Sequence, residues 1–286
     1  MRTLLFFLFI PTISFSQMID PKRGEPFSDQ PFFDDEFVNW QKIKSLKGNF
    51  IYMSSDGAIR STTYTLCFEF DTLGRLSYQY ETCKDDGTKD TTWNYYAYNE
   101  KSQLIAHTNC YGQSCKSNQF IWDEKDFVKI KQELIYEPEI NPKLVYRDSI
   151  DTKISDEYIF HNYYNNSGGL YLIEETHIDY MKRPLSKSKR YVNTSEVWNE
   201  DYLYNTSGKL LEIKSYKGID TLIYTKQNYE YNDLGNLLKY SIVENGHVIK
   251  ETEFLYNEIG ILESLITQNY KLGLVTLIRF SDISFY

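Results

Sequence analysis

The residue types that most often perform catalysis are scattered along this chain and are not gathered into motifs. The four histidines are His107, His161, His177 and His247. Their spacings are not those of zinc ligands, which cluster in sequence. The segment 186–189 fits a Ser-x-x-Lys pattern, but it lies in a predicted loop and no partner motif follows it. Phosphate loops, dinucleotide fingerprints and H-E-x-x-H helices are absent. We therefore predict a protein that is not an enzyme and that holds no cofactor and no metal.

The composition favours β-structure and argues against nucleic-acid binding. The 286 residues include 26 Tyr and 17 Phe, and aromatic side chains suit a pleated, half-buried surface better than a helix. The formal net charge is -9, with acidic and basic residues interspersed. Nucleic-acid-binding proteins concentrate Lys and Arg on one face, and this chain has no such stripe. We expect an all-β protein with no nucleic-acid partner.

The N-terminus has the order of a secretory signal peptide, which we predict over residues 1–16. Arg2 supplies the positive charge, and an apolar run follows over residues 4–10. Ser14 and Ser16 are the small residues that precede a cleavage site. No later apolar run approaches the roughly 18 residues that a transmembrane helix needs, so no transmembrane segment is predicted. The mature chain is expected to be secreted, or to reside in the periplasm or cell envelope.

Four cysteines follow the predicted cleavage site: Cys67, Cys83, Cys110 and Cys115. An even number in an exported chain suggests disulfides, and three pairings are possible. Cys110 and Cys115 flank a tight turn, so a disulfide between them closes the end of a hairpin if their Cβ atoms come within about 4.5 Å. The alternative is that all four are free, half-buried thiols.

One short pattern, aromatic-x-aromatic-Asx-x-x-Gly-x-Leu, recurs seven times along the chain, and its first clear copy is the segment 68–76. The turn residues of the copies are Asp71 and Gly74, Asn99, Asp123, Asn165 and Gly168, Asn205 and Gly208, Asn232 and Gly235, and Asn257 and Gly260. Ser102 and Asp126 occupy the Gly place in the second and third copies. A core that recurs in this way predicts a repeat architecture.

Each copy has the chemistry of a β-hairpin turn. The Asx side chain accepts hydrogen bonds from the backbone ahead of it, and the Gly supplies the positive φ of a G1 bulge. Because the bulge adds one residue to the returning strand, it places Phe70 opposite Leu76. The equivalent pairs are Tyr204 with Leu210, Tyr231 with Leu237 and Tyr256 with Leu262. Each unit is expected to present two aromatic residues and one aliphatic residue on the same face.

The units need one another, because a lone hairpin cannot bury its apolar face. We predict that tandem antiparallel hairpins over residues 49–286 form one long twisted or coiled sheet, a meander. The sequence leaves open whether that sheet is an open surface, a sandwich or a closed shell. Residues 17–48 lack the repeat and predict an extended leader followed by a short capping helix. That helix is expected over residues 35–47, with Asp34 as its cap, Gly48 at its end, and Phe37, Trp40 and Ile43 on one face.

The repeated core resembles that of the YD-repeat proteins, also called the rearrangement-hotspot (RHS) family. The likeness covers most of residues 64–265 and is most specific in the copies at Asn205, Asn232 and Asn257. It implies a β-hairpin sheet that winds into a spiral and forms a shell or an extended surface on exported proteins. Larger members of the family enclose or display toxic C-terminal domains. This chain departs from that pattern because no extra domain follows Leu262, so no toxic cargo is expected.

The expected function is that of a secreted, non-enzymatic scaffold or protein-binding surface. The alternative is a carbohydrate-binding module in which exposed Trp93, Trp122 and Trp198 stack on sugar rings. Against that alternative, the aromatic residues of the repeat alternate along the chain as core residues do. The sequence does not identify the protein or glycan that would be bound.

Overall fold

The computed structural model describes residues 18–20, 31–53, 57–82, 91–138, 141–218 and 224–286. The predicted signal peptide, residues 1–16, lies outside these ranges. The described elements are α1 (Asp35–Trp40), β1 (Ile43–Met53), β2 (Ile59–Phe70), β3 (Leu76–Thr82), β4 (Thr91–Tyr98), β5 (Leu104–Tyr111), β6 (Ser114–Trp122), β7 (Val128–Tyr136), β8 (Lys143–Ile154), β9 (Tyr158–Tyr164), β10 (Leu170–Ile178), β11 (Pro184–Tyr191), β12 (Val197–Tyr204), β13 (Leu210–Lys217), β14 (Tyr224–Tyr231), β15 (Leu237–Glu244), β16 (His247–Tyr256), β17 (Leu262–Asn269) and β18 (Leu274–Phe285).

All 18 strands belong to one antiparallel sheet in chain order. Each strand pairs with the next, so the predicted all-β meander is present. The sheet does not stay open, because β1 also pairs with β18 along a register that runs from Ile43 opposite Phe285 to Met53 opposite Val275. The prediction of one long twisted or coiled sheet is therefore corrected, because the first and last strands pair with each other. The sheet closes into a barrel, which pairs the two edge strands that would otherwise be exposed.

The connections between strands lie at two ends of the barrel. The Asx turns at Asp71, Asn99, Asp123, Asn205, Asn232 and Asn257 share one end, which we call the repeat end. The Asn165 turn joins β9 to β10 at the opposite end, so it does not continue the series as its sequence suggests. Asp179 instead forms the repeat-end turn between β10 and β11, with Lys182 at φ 62° in the Gly place. The segment 186–189, predicted above to be a loop, is part of the strand β11 that follows this turn.

The first turn shows how the repeat folds locally. The amide of Gly74 donates to the carbonyl of Asp71 at 2.9 Å, and Gly74 has φ 83°. The Asp71 carboxylate accepts from the amides of Leu73 and Arg75 at 2.9 and 3.0 Å. A register shift at the end of β2 then sets Phe70 opposite Leu76, as the bulge predicts. The equivalent pairs in the three C-terminal copies have the same register.

The N-terminal segment closes the repeat end of the barrel. Met18, Ile19, Phe32 and Phe33 are fully buried and join the aromatic and aliphatic residues of β1–β4 and β13–β18 in one core. The Asp34 carboxylate caps α1 by accepting from the Phe37 amide at 3.0 Å. We call this assembly, residues 18–20 and 31–40, the plug.

The capping helix is shorter than the sequence predicts. It ends at Trp40, whose side chain is 59% exposed, and Lys42 at φ 56° turns the chain into β1. Ile43 and Gly48 lie in β1 because that strand pairs with β2 on one side and β18 on the other. Gly48 also has a packing role, since a Cβ there would lie 2.8 Å from the Phe280 ring. Pairing on both sides outweighs the helical pattern of residues 41–47.

Candidate functional site

The inner face of the barrel has an apolar layer and a polar layer. Phe68 is buried in the core, so its side of β2 is the inner face. Residues opposite each other in an antiparallel pair share a face, and the strand register therefore identifies the inner-face residues of the neighbouring strands. Near the repeat end this face carries the buried aromatic and aliphatic residues of the core. Farther from that end it carries polar side chains, among which Asn94 and His107 form a buried hydrogen bond of 3.0 Å.

Two carboxylates are buried on this inner face. Glu133 pairs with Lys116 at 2.9 Å, and Glu174 pairs with Lys187 at 3.3 Å and with Lys189 at 3.8 Å. A buried carboxylate is tolerated when it is paired in this way. Among the described residues, strands β6–β11 contribute none to the main apolar core. These charge pairs therefore lie on the side of the barrel away from the plug.

A second distinctive surface is formed by the tips of the repeat-end turns. The third residue of the turn is apolar in the copies at Asp71, Asn232 and Asn257. These three side chains project into solvent, with exposed fractions of 52% for Leu73, 83% for Leu234 and 56% for Ile259. Trp40, the last residue of α1, is 59% exposed. The three hairpins and the plug are neighbours around the ring. The four apolar side chains therefore share one sector of the repeat end.

The backbone beneath these exposed side chains is fixed. The Asn257 side chain accepts from the Ile259 amide at 3.1 Å, and the Gln41 side chain donates to the Ile259 carbonyl at 3.2 Å. At the neighbouring turn, a Cβ on Gly74 would lie 2.1 Å from the Asp35 carbonyl oxygen, so α1 rests directly on that turn. The apolar tips are therefore presented by a rigid support.

Three exposed carboxylates lie beside these tips, Glu36, Asp233 and Glu258, and they outnumber the exposed cation Lys42, which follows Trp40 and donates to the Asn39 side chain at 3.1 Å. We call the surface made of Glu36, Trp40, Leu73, Asp233, Leu234, Glu258 and Ile259 the acidic apolar rim. The turns at Asn99, Asp123 and Asn205 carry Lys101, Lys125 and Ser207 at the tip position. Met181, another exposed apolar tip, is separated from Leu234 by the polar Asn205 turn. The rim therefore occupies the sector that the plug supports.

In several repeat units an aromatic side chain contacts the preceding hairpin. The hydroxyls of Tyr98, Tyr204, Tyr231 and Tyr256 donate to backbone carbonyls of the preceding hairpin at 2.7–2.9 Å. Three of these rings also lie under a cation, namely Arg75 over Tyr98, Arg183 over Tyr204 and Lys209 over Tyr231. Burial raises the pKa of Tyr204 to about 12, with Arg183 opposing the rise, so its hydroxyl stays a donor at neutral pH.

The three tryptophans that the carbohydrate hypothesis names do not form one platform. The register places Trp93 on the outer face of β4, and Trp122 and Trp198 on the inner face of β6 and β12. Trp122 has a structural contact, because its indole N–H donates to the Leu104 carbonyl at 2.8 Å. Lys217 lies 5.4 Å above the Trp198 ring.

Cys110 and Cys115 are joined by a disulfide across β5 and β6. Cys67 is a buried free thiol in β2, and Cys83 lies outside the described residues. Within the described ranges, no three His, Cys, Asp or Glu side chains are grouped so as to hold a metal ion. In the same part of the chain, no helix is both long and apolar enough to cross a membrane.

Comparisons with known proteins do not identify a family. No family model matches the chain, and no curated protein matches its sequence. A porin-like protein from Bacteroides uniformis is 10% identical with a TM-score of 0.40, covering 85% of this chain and 97% of that one. A DUF1329 family protein from Desulfovibrio piger is 9% identical with a TM-score of 0.28, covering 88% of each chain. The structure titled TcdB2-TccC3-TEV is 10% identical with a TM-score of 0.30, covering 78% of this chain and 12% of that one.

These TM-scores lie below 0.5 and carry no argument about function. The resemblance to YD-repeat proteins therefore stays a prediction from the repeated core. The proposals below rest on this chain's own geometry.

Proposed function

We propose that this chain is an exported, non-enzymatic binding protein that uses the acidic apolar rim to dock a protein partner. The observation that carries the proposal is the contrast between the rim and its support. Four large apolar side chains of the rim are more than half exposed: Leu73 and Ile259 lie on turns that contact α1, Trp40 ends α1, and Leu234 lies on the next turn around the ring. Large exposed apolar side chains grouped in one sector of a protein surface are typical of an interaction site.

The charges of the rim define the partner. Glu36, Asp233 and Glu258 would repel anionic lipid headgroups and nucleic acid, and they would attract a basic protein surface. The rim thus suits a partner whose apolar patch is bordered by Lys or Arg. Export to the cell envelope or the medium is supported by the signal-peptide pattern of residues 1–16 and by the Cys110–Cys115 disulfide.

The experiment compares two matched double variants of the full mature chain. Leu234→Ser with Ile259→Ser changes the rim, and Leu203→Ser with Ile121→Ser changes residues of the outer wall that are 55% and 46% exposed. Affinity purification from the native envelope is followed by titration with each purified partner. We expect one partner to be lost with the rim variant, kept with the wall variant, and bound more weakly at high salt. A partner that binds both variants equally, or the recovery of no stoichiometric partner, would refute the proposal.

Carbohydrate stacking on Trp93, Trp122 and Trp198 ranks second. The three rings face different surfaces and Trp122 is engaged by Leu104, so a sugar chain would meet one ring at a time. Trp198, which is 46% exposed, is the most accessible of the three. Glycan binding that disappears in a Trp198→Ala variant would favour this function over protein docking.

A further inference from the structure

A small cavity lies on the side of the barrel that the plug does not contact. It has a volume of about 210 Å³ and lies against the inner face of β6–β9. Its lining residues are Trp122, Asp126, Phe127, Val128, Ile150, His161 and Tyr163. Most of these side chains are aromatic or aliphatic. The cavity is smaller than the roughly 300–1,000 Å³ of drug-sized sites, so it suits a ligand with a single ring.

Two polar atoms of the lining residues are unengaged. The Nδ1 atom of His161 is hydrogen-bonded to the Thr152 hydroxyl at 2.8 Å, whereas its Nε2 atom has no hydrogen-bond partner among the described residues. Within the same ranges, the Tyr163 hydroxyl also has no hydrogen-bond partner, and its ring contacts those of His161 and Tyr171. Neither atom is fully enclosed by protein. An apolar pocket with a few available polar groups is the usual form of a small-molecule site.

The charges around the cavity argue for an uncharged ligand. Asp126 is neutralised by Lys101 at 2.7 Å and accepts from the Gln103 side chain at 2.9 Å. Burial lowers the pKa of His161, partly offset by Glu174, so its imidazole is neutral at physiological pH. No cation in the lining is free to pair with a carboxylate or phosphate. An anionic ligand would therefore lose its hydration without gaining a counter-charge.

We propose that this cavity is a binding site for a small, uncharged, hydroxylated aromatic ring. The ring would lie against Trp122, Phe127 and the aliphatic side chains of Val128 and Ile150, and its hydroxyl would meet His161 Nε2. A hydroxyl both donates and accepts, so it satisfies whichever tautomer the Thr152 bond selects. This site is independent of the acidic apolar rim, and either proposal stands if the other fails.

The test uses the full mature chain with phenol and toluene, two rings of similar size that carry a hydroxyl and a methyl group, respectively. Binding is measured by calorimetry and by the chemical shifts of the His161 ring. We expect phenol to bind about tenfold more tightly than toluene and to shift the His161 signals. A His161→Phe variant keeps an aromatic ring at this position but removes both ring nitrogens, and it should lose that tenfold preference while still binding toluene. The matched control His247→Phe changes an exposed histidine and should leave both affinities unchanged.

A cavity-filling variant, Val128→Trp, separates this site from non-specific binding of aromatic compounds. It should abolish the binding of both ligands while circular dichroism shows that the fold is retained. If that variant does not fold, the His161 shifts of the unmodified chain decide the question. Equal affinity for phenol and toluene, or phenol binding that leaves the His161 signals unmoved, would overturn the proposal.

Discussion

The hydroxyl of Tyr231 donates a hydrogen bond to the backbone carbonyl of Leu210, 2.7 Å away in the preceding repeat unit. The same contact joins Tyr98 to Leu76 and Tyr256 to Leu237, and Trp122 makes it through its indole nitrogen. These units are therefore tied to their neighbours by a side chain as well as by strand pairing. This explains why the aromatic residue before the Asx is Tyr in several copies, although Phe would fill the same apolar space.

Replacing Tyr231 with Phe tests this tie between units. The change removes one hydrogen bond and retains the ring, so we expect the free energy of unfolding to fall by about 1 kcal/mol. Urea denaturation monitored by tyrosine fluorescence measures the change. Tyr180→Phe is the control, because that side chain is 89% exposed and should have no effect. Equal effects of the two substitutions would show that the hydroxyl contact contributes nothing specific.

Alanine variants at Gly74 and Gly168 distinguish the cost of backbone strain from the cost of displacing the plug. Both have a positive φ, but a Cβ at Gly74 would meet the Asp35 carbonyl at 2.1 Å, whereas a Cβ at Gly168 would meet nothing within 4 Å. We expect Gly168→Ala to cost about 1–2 kcal/mol from backbone strain alone. Gly74→Ala should cost about 1–3 kcal/mol more because α1 must move. Thermal unfolding of both variants measures the difference, and similar melting temperatures would contradict the packing of the plug on this turn.

Local chemistry made part of this fold predictable from sequence. The Asx and Gly positions determine a turn and a bulge, and the bulge alone sets Phe70 opposite Leu76. Closure depends on pairing between strands at opposite ends of the chain, for which the repeat gives no signal. The Asp179 turn does not match the repeated pattern, because Lys182 occupies the Gly place and His177 precedes the turn instead of an aromatic pair. The apolar tips at Leu73, Leu234 and Ile259 are visible in the sequence, but their placement in one sector depends on closure of the ring and on the plug.

Acidification should destabilise the barrel through His161. Burial lowers the pKa of this histidine below its ordinary value of 6.5, with Lys187 adding to the effect and Glu174 opposing it. The unfolded state then binds more protons than the folded state below about pH 6.5, so the free energy of unfolding decreases as the pH falls through that range. Denaturation at pH 7.5 and 5.5 should show a smaller decrease for His161→Gln than for the unmodified chain. His247→Gln is the control, and an unchanged pH dependence in His161→Gln would contradict this assignment.

The thiol of Cys67 should resist alkylation in the folded protein. Burial raises its pKa to about 11, although a hydrogen bond with Tyr80 opposes the rise. At pH 8 the reactive thiolate is therefore about a hundredfold scarcer than for a thiol with a pKa of 9.0. Iodoacetamide labelling followed by peptide mass spectrometry should find Cys67 modified rapidly only after denaturation. Rapid labelling of Cys67 under native conditions would mean that this part of β2 is not buried.

Closure of the barrel is tested most directly by a cross-link between its first and last strands. The Ser45 and Ser284 hydroxyls lie 2.7 Å apart where β1 pairs with β18. In an open sheet of 18 strands at about 4.8 Å each, they would lie roughly 80 Å apart. We predict that a Ser45→Cys, Ser284→Cys variant forms an intramolecular disulfide under mild oxidation, seen by peptide mapping as a bridge between the two strands. Two free thiols at these positions in the folded, oxidised variant would contradict the closed barrel.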